Sequence, residues 1–295
     1  MRISEQPGVV LDCRINLGES CLWDERTQTL RWINIFAGEI WSWSPFASEE
    51  PRITKLEERI GAIALREGGG LALALESGFA LLDEGQHRPH RLVEIETDLD
   101  CTRLNDGRVD RQGRFVSGGV HEAIPQRPVS AVYALEPSGE ARTLIESVHC
   151  ANSICWSPAG DIMYFTDMPT GKIEAFDYDI GSGRVSHRRV FADLEGEPGL
   201  ADGSIVDAEG CLWNAQWGGG KLVRYSPEGR VLSEVGLPVD NPTCLAFGGP
   251  DLDILFITTA WYGLDAQQRS RQPQAGSLFA FRPGVWGLKE SRYAG

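Results

Sequence analysis

The stretch Arg103-Leu104-Asn105-Asp106-Gly107-Arg108-Val109-Asp110-Arg111-Gln112-Gly113-Arg114-Phe115 decides the fold. It sets a guanidinium, an amide and carboxylates ahead of a short alternating run, then an Asp-x-x-Gly turn and a second apolar run. Variants of this frame recur. Taking Asp24, Arg66, Asp110, Ser157, Asp207 and Gly248 as equivalent turn positions gives spacings of about 42, 44, 47, 50 and 41 residues. Such a period, built of short runs rich in Val, Ile, Trp, Tyr and Phe, belongs to a four-stranded propeller blade. The reading is all-β: a six-bladed β-propeller, one domain over residues 1–295. Its closing strand comes from Val9–Ile15, which has no sheet of its own and so pairs with the last blade.

Five residues before each turn position stand Glu19, Gly61, Asn105, Asn152, Asp202 and Thr243. The innermost strand of each propeller blade lines the axis, so residues at one phase converge on one mouth of the channel. Two carboxylates drawn together there repel and lose hydration, which a divalent cation relieves. Oxygen ligation by Glu19, Asn152 and Asp202 favours Ca²⁺, Mg²⁺ or Mn²⁺ and leaves Zn²⁺ and Fe²⁺ open. Three protein ligands leave positions for water and substrate, the layout of a catalytic metal site.

Composition narrows the partners. A formal charge of −14 with no basic cluster disfavours nucleic acid, and no apolar run is long enough to cross a bilayer. Met1–Pro7 lacks the apolar core of a secretory signal, so a cytoplasmic protein is expected, monomeric or weakly oligomeric. The seven cysteines are scattered without a C-x-x-C pair and read as packers, including Cys150 and Cys155 on either side of Asn152. There is no G-x-S-x-G elbow, Walker loop or H-E-x-x-H helix. Trp217 and Trp261 stand near strand ends where they can stack on a sugar, the polar 261–275 loop reads as a surface excursion, and Asp167 as a turn carboxylate.

Together, Gly18-Glu19-Ser20, Arg103–Gly107 with Asp110 and Gly113-Arg114, Asn152 before Ile-x-Trp-Ser, Asp177-Tyr178-Asp179, Ala201-Asp202-Gly203 with Asp207–Gly210, and Asn241-Pro242-Thr243 with Phe247–Gly249 resemble the senescence-marker-protein/gluconolactonase family. That family includes regucalcin and bacterial sugar lactonases, and the resemblance covers nearly the whole chain in order. It implies a six-bladed propeller that binds one divalent metal and hydrolyses an aldonolactone to the aldonic acid in carbohydrate catabolism. By position it implies Glu19, Asn152 and Asp202 as metal ligands, Asp202 also as general base, and Arg103 and Asn105 as holders of the lactone oxygens. A further substrate carboxylate is implied in Gly118–Ala123, where Glu122 is the near match and a strict count falls on Ala123. Its neighbour His121 reads as an exposed loop histidine. Two rivals share these residues: a metal-dependent esterase or phosphotriesterase, which would have a more apolar pocket, and a non-enzymatic metal-binding or regulatory protein.

Overall fold

The computed structural model describes residues 3–47 and 49–295; Met1 and Arg2 of the N-terminal stretch and Ser48 lie outside them. Strand β1 is Gly8–Leu11. The first blade is β2 (Gly18–Asp24), β3 (Thr29–Asn34), β4 (Glu39–Trp43) and β5 (Arg52–Lys55), and the second is β6 (Ile60–Leu65), β7 (Leu71–Leu75), β8 (Gly78–Leu82) and β9 (His90–Glu94). The third is β10 (Thr102–Val109), β11 (Phe115–His121), β12 (Ser130–Leu135) and β13 (Ala141–Val148), and the fourth is β14 (Ala151–Trp156), β15 (Ile162–Asp167), β16 (Lys172–Asp179) and β17 (Arg184–Asp193). The fifth is β18 (Leu200–Val206), β19 (Leu212–Trp217), β20 (Lys221–Tyr225) and β21 (Val231–Gly236); the sixth is β22 (Pro242–Gly248), β23 (Ile254–Thr259) and β24 (Leu278–Phe281), with β1 as its fourth strand. These six four-stranded antiparallel sheets are the blades of a six-bladed β-propeller. The chain divides into two compact units: one runs through Thr54 and resumes over Gly196–Lys289, the other is Lys55–Glu195 with Glu290–Gly295.

The turn chemistry in the opening stretch explains why its frame repeats. Asp110 Oδ1 accepts from the Gln112 and Arg114 backbone N–H groups at 2.9 and 2.8 Å, and Gly113 takes the left-handed φ of 84° that closes the turn. The other oxygen, Oδ2, accepts from Arg114 Nη1 at 2.8 Å and from the Tyr178 hydroxyl at 2.7 Å, which ties the third blade to the fourth. Asp207 repeats the device, accepting from Glu209 and Cys211 N–H through Oδ1 and from Trp213 Nε1 and Arg224 Nε through Oδ2.

Apolar faces then pack blade against blade. In the first unit Trp23 stacks on Phe256 at 5.9 Å between the first and sixth blades, and Trp213 and Phe281 join the fifth to the sixth. In the second unit Phe79 meets Phe115 edge-on at 5.7 Å between the second and third blades, while Trp156 and Tyr178 meet edge-on at 5.6 Å within the fourth. Each such ring, fully buried, is worth roughly 1.5–3 kcal/mol of hydrophobic stabilisation. The loop read as a surface excursion carries the short helix α1 (Ala266–Arg271), capped by Asp265 and Gln268 and burying none of its own residues. No helix among the described residues is long and apolar enough to cross a membrane.

Candidate active site

The six head residues share one structural feature. In every first strand the ladder to its neighbour slips at the head: between Glu19 and Leu22, Ile60 and Ala62, Leu104 and Gly107, Asn152 and Cys155, Ala201 and Ser204, and Pro242 and Leu245. A bulge frees residues from the ladder and re-aims a side chain. Ser20 and Ser153, which follow Glu19 and Asn152, hold left-handed φ values of 48° and 60° that residues with a Cβ rarely adopt, so both bulges are held under strain.

Arg103, Asn105, Glu122 and Asn152 fall in the second unit, where hydrogen bonds link them into one chain. Arg103, 5% exposed, donates from Nε to Glu122 Oε1 at 2.8 Å and from Nη1 to Asn105 Oδ1 at 2.7 Å. The Asn105 amide donates to Asn152 Oδ1 and to the Ala151 carbonyl, both at 3.0 Å. Gly61 allows the second blade to close on this row, because a Cβ there would lie 2.2 Å from the Leu104 carbonyl oxygen. Asp106 Oδ2 accepts from Ile154 N–H at 2.9 Å, which pins the bulge that presents Asn152; burial pushes the Asp106 carboxyl above its ordinary pKa.

The chain continues into residues that no repeat or motif had marked. Glu122 is shared by Arg103 and by Arg59, whose Nη1 lies 3.0 Å from Oε1, and Arg59 in turn forks onto Glu76 at 2.9 and 2.6 Å. The hydrogen bonds to Glu76 are the chief cause raising the Arg59 pKa, and the same pair holds the Glu76 carboxyl below its ordinary value. Glu122 therefore stands between two guanidinium groups. Arg59 precedes its head residue and Glu76 follows the end of β7, places where sequence spacing carries no signal.

Glu19 and Asp202 fall in the first unit. Both are buried, Glu19 9% and Asp202 4% exposed, and the Ser20 N–H donates to a Glu19 carboxylate oxygen at 3.2 Å. Thr243 links their strands: its hydroxyl donates to the Gly18 carbonyl at 2.5 Å, and a Cβ on Gly203 would lie 2.7 Å from its own carbonyl oxygen. Asp202, Thr243 and Glu19 thus head three neighbouring strands, β18, β22 and β2. Among the described residues there is no cluster of three or more His, Cys, Asp or Glu side chains able to hold a metal.

Other expectations resolve locally. His121 is not an exposed loop residue: it ends β11, is 1% exposed, and accepts the Arg127 N–H through Nδ1 at 3.1 Å, because the loop after β11 folds back over it. Asp167 accepts the His149 and Cys150 N–H groups through Oδ1, at 3.0 and 2.9 Å, and meets His149 Nδ1 at 2.8 Å through Oδ2. Burial pushes the Cys155 thiol up to about 12, which leaves it protonated and unreactive near neutrality. None of the seven cysteines forms a disulfide. Trp261 lies under the Arg269 guanidinium, 3.9 Å from the ring centroid, whereas Trp217 tilts against Tyr262 at 6.5 Å.

Residues 17–261 match the SMP-30/Gluconolactonase/LRE-like region. Regucalcin from Homo sapiens is 34% identical over 290 residues, covering 96% of each chain, and regucalcin from Xenopus laevis is 33% identical over 285 residues, covering 95% of each. Among solved structures, a calcium-binding protein, regucalcin, from Agrobacterium tumefaciens superposes with a TM-score of 0.92 at 29% identity over 99% of both chains. A gluconolactonase from Xanthomonas campestris shares the fold, with a TM-score of 0.75 at 20% identity, covering 94% of this chain and 89% of that one.

Proposed function

The chain belongs to the SMP-30/gluconolactonase/LRE-like family, and from that premise we propose that it hydrolyses a sugar lactone to the sugar acid with the help of one divalent metal ion. The observation that carries this reading is the guanidinium–amide chain from Arg103 through Asn105 to Asn152, built without a strong apolar component. Such a row of donors and acceptors matches a polyhydroxylated substrate better than the greasy acyl or aryl groups of a simple ester.

Glu19 and Asp202 supply two buried carboxylates, and Asn152, at the same phase of β14, supplies an amide oxygen with a lone pair beyond the one Asn105 uses. This all-oxygen donor set fits a hard divalent cation of the Ca²⁺, Mg²⁺ or Mn²⁺ kind, and the calcium-binding relative from Agrobacterium supports that class. When bound, the metal supplies Lewis-acid polarisation of the lactone carbonyl.

The remaining steps belong to the protein. Asp202 takes the proton of the attacking water as general base. Asn105 and the Arg103 guanidinium orient the substrate hydroxyls, and the guanidinium favours the carboxylate as it forms. Glu122 keeps Arg103 aimed, since its carboxylate is already shared by two arginines. Measuring acid release from a panel of five- and six-membered sugar lactones, with metal added and then chelated, tests the whole reading. Hydrolysis that disappears with chelation and returns with metal is the expected outcome; metal binding without turnover of any lactone would instead favour a regulatory metal-binding protein.

A further inference from the structure

Three aromatic rings of the first unit lie at or just past the ends of second strands. Phe36 follows β3, Trp217 ends β19 and Tyr262 follows β23, so each sits at the same end of the second strand of a different blade. Register places these ends beside the heads: Gly18 pairs with Asn34, Leu200 with Trp217, and Pro242 with Thr259, one residue from Glu19, two from Asp202 and one from Thr243 respectively. The rings touch in sequence, Phe36 to Tyr262 at 4.9 Å and Tyr262 to Trp217 at 6.5 Å, and Tyr262 remains 48% exposed.

Their backbones are fixed rather than loose. The Asn16 carbonyl accepts both the Trp261 and Tyr262 N–H groups, at 3.1 and 3.0 Å. Buried Asn241 accepts from Gly218 N–H at 3.1 Å and donates to the Tyr262 carbonyl at 3.0 Å, clamping the Trp217 and Tyr262 connections to each other. On the Phe36 side, Ile35 N–H donates to the Leu17 carbonyl at 3.1 Å. A contiguous, partly exposed aromatic face held this firmly is the kind of patch that marks a ligand site, whereas apolar residues scattered singly over a surface are ordinary.

We propose that Phe36, Tyr262 and Trp217 form a stacking platform for the C–H face of a cyclic sugar derivative, with Tyr262 as its central ring. The proposal deepens the lactonase reading and rests on it for the identity of the ring, a lactone whose hydroxyls point away from the aromatics. The platform discriminates between sugars by the continuity of one C–H face, so epimers that turn a hydroxyl towards Tyr262 bind less well. Because the rings act on ring and transition state alike, they set KM and leave kcat nearly unchanged.

The test uses sugar lactams, five- and six-membered, which keep the ring and resist hydrolysis, observed by saturation-transfer NMR with the aromatic resonances irradiated. The expected result is transfer to ring C–H protons of at least one lactam, lost in Tyr262→Ala and kept in Tyr262→Phe. Dissociation constants should rise about three- to tenfold in Tyr262→Ala, the range of a well-oriented aromatic contact. Circular dichroism of both variants separates loss of the ring from loss of the fold. Lactam binding that depends on the Tyr262 ring, with no lactone turned over by the wild type, would sink the lactonase reading and leave the platform standing. Turnover with an unaltered KM in Tyr262→Ala, or no transfer from the aromatics to any lactam, would overturn the platform.

Discussion

In the second unit the heads of β10 and β14 present amides that hydrogen-bond to each other and to a guanidinium; in the first, the heads of β18, β22 and β2 present two carboxylates and a threonine. The second-strand ends differ too: Glu76, Glu122 and Met168 directly follow β7, β11 and β15, whereas Phe36, Trp217 and Tyr262 lie at or within three residues of the ends of β3, β19 and β23. One set is satisfied by its own members before any ligand arrives, which fixes geometry in advance and suits orientation of a polar substrate. The other places two buried carboxyl groups at the heads of neighbouring strands, where under the proposed function a bound cation would offset their desolvation. Under the proposed function, blades of one architecture divide their tasks through a few residues at one phase.

The sharpest break in this division comes from removing the proposed base. Asp202→Ala should lower kcat roughly 10³-fold or more and weaken metal affinity, with the fold intact by circular dichroism. Calorimetric metal titration beside the rate measurement separates the two effects; turnover within tenfold of wild type would reject Asp202 as base and ligand. Arg103→Ala comes next. It should raise KM on the order of 10- to 100-fold while kcat falls much less, and Arg103→Lys should fail to rescue it, because an ammonium cannot span Glu122 and Asn105 together. Full recovery by lysine would mean that only charge matters at this position.

A milder pair of variants probes how the amide row differs from its support. Asn105→Ala removes a link that touches both Arg103 and Asn152 and should raise KM about tenfold. Glu122→Ala should cost about threefold, since Arg103 keeps its bonds to Asn105 and to the Leu104 carbonyl. The reverse order in the measured KM values would make Glu122 a substrate-binding group and not a holder of Arg103.

These residues were unequally legible in the sequence. The heads could be found because each sits a fixed distance before a turn, and turns announce themselves through Asp, Ser and Gly chemistry, as Asp110 and Gly113 do. The bulges that aim those heads left only indirect traces, since a positive φ at Ser20 or Ser153 has no sequence signature when the residue is not glycine. Outer strands such as β17 and β21 escaped for another reason: they lie exposed at blade edges, so their alternation lacks a hydrophobic face. Arg59, Glu76, Phe36 and Tyr262 lie in connections whose neighbours are decided by cross-strand register, which one chain read alone does not specify.

The smallest effect tests whether the outermost rung of the polar row stabilises the fold at all. Glu76 receives a two-pronged hydrogen bond from Arg59, and that bond, ahead of the opposing effect of burial, holds its folded-state pKa below the ordinary value. A depressed folded pKa means that the pairing contributes its full stability above the unfolded pKa, about 4.3 for glutamate, and loses it as pH falls through the folded value. Thermal melts of wild type and Glu76→Gln should therefore differ by a few degrees at pH 7 and converge as the pH falls below the ordinary glutamate range, since both then carry a neutral side chain at this position. The pair is more than a third exposed on the glutamate side, so solvent screening keeps the gap small and added salt should narrow it further. A gap that stays constant down to pH 3 would assign the loss to packing in the variant, and the polar row would then end at Arg59.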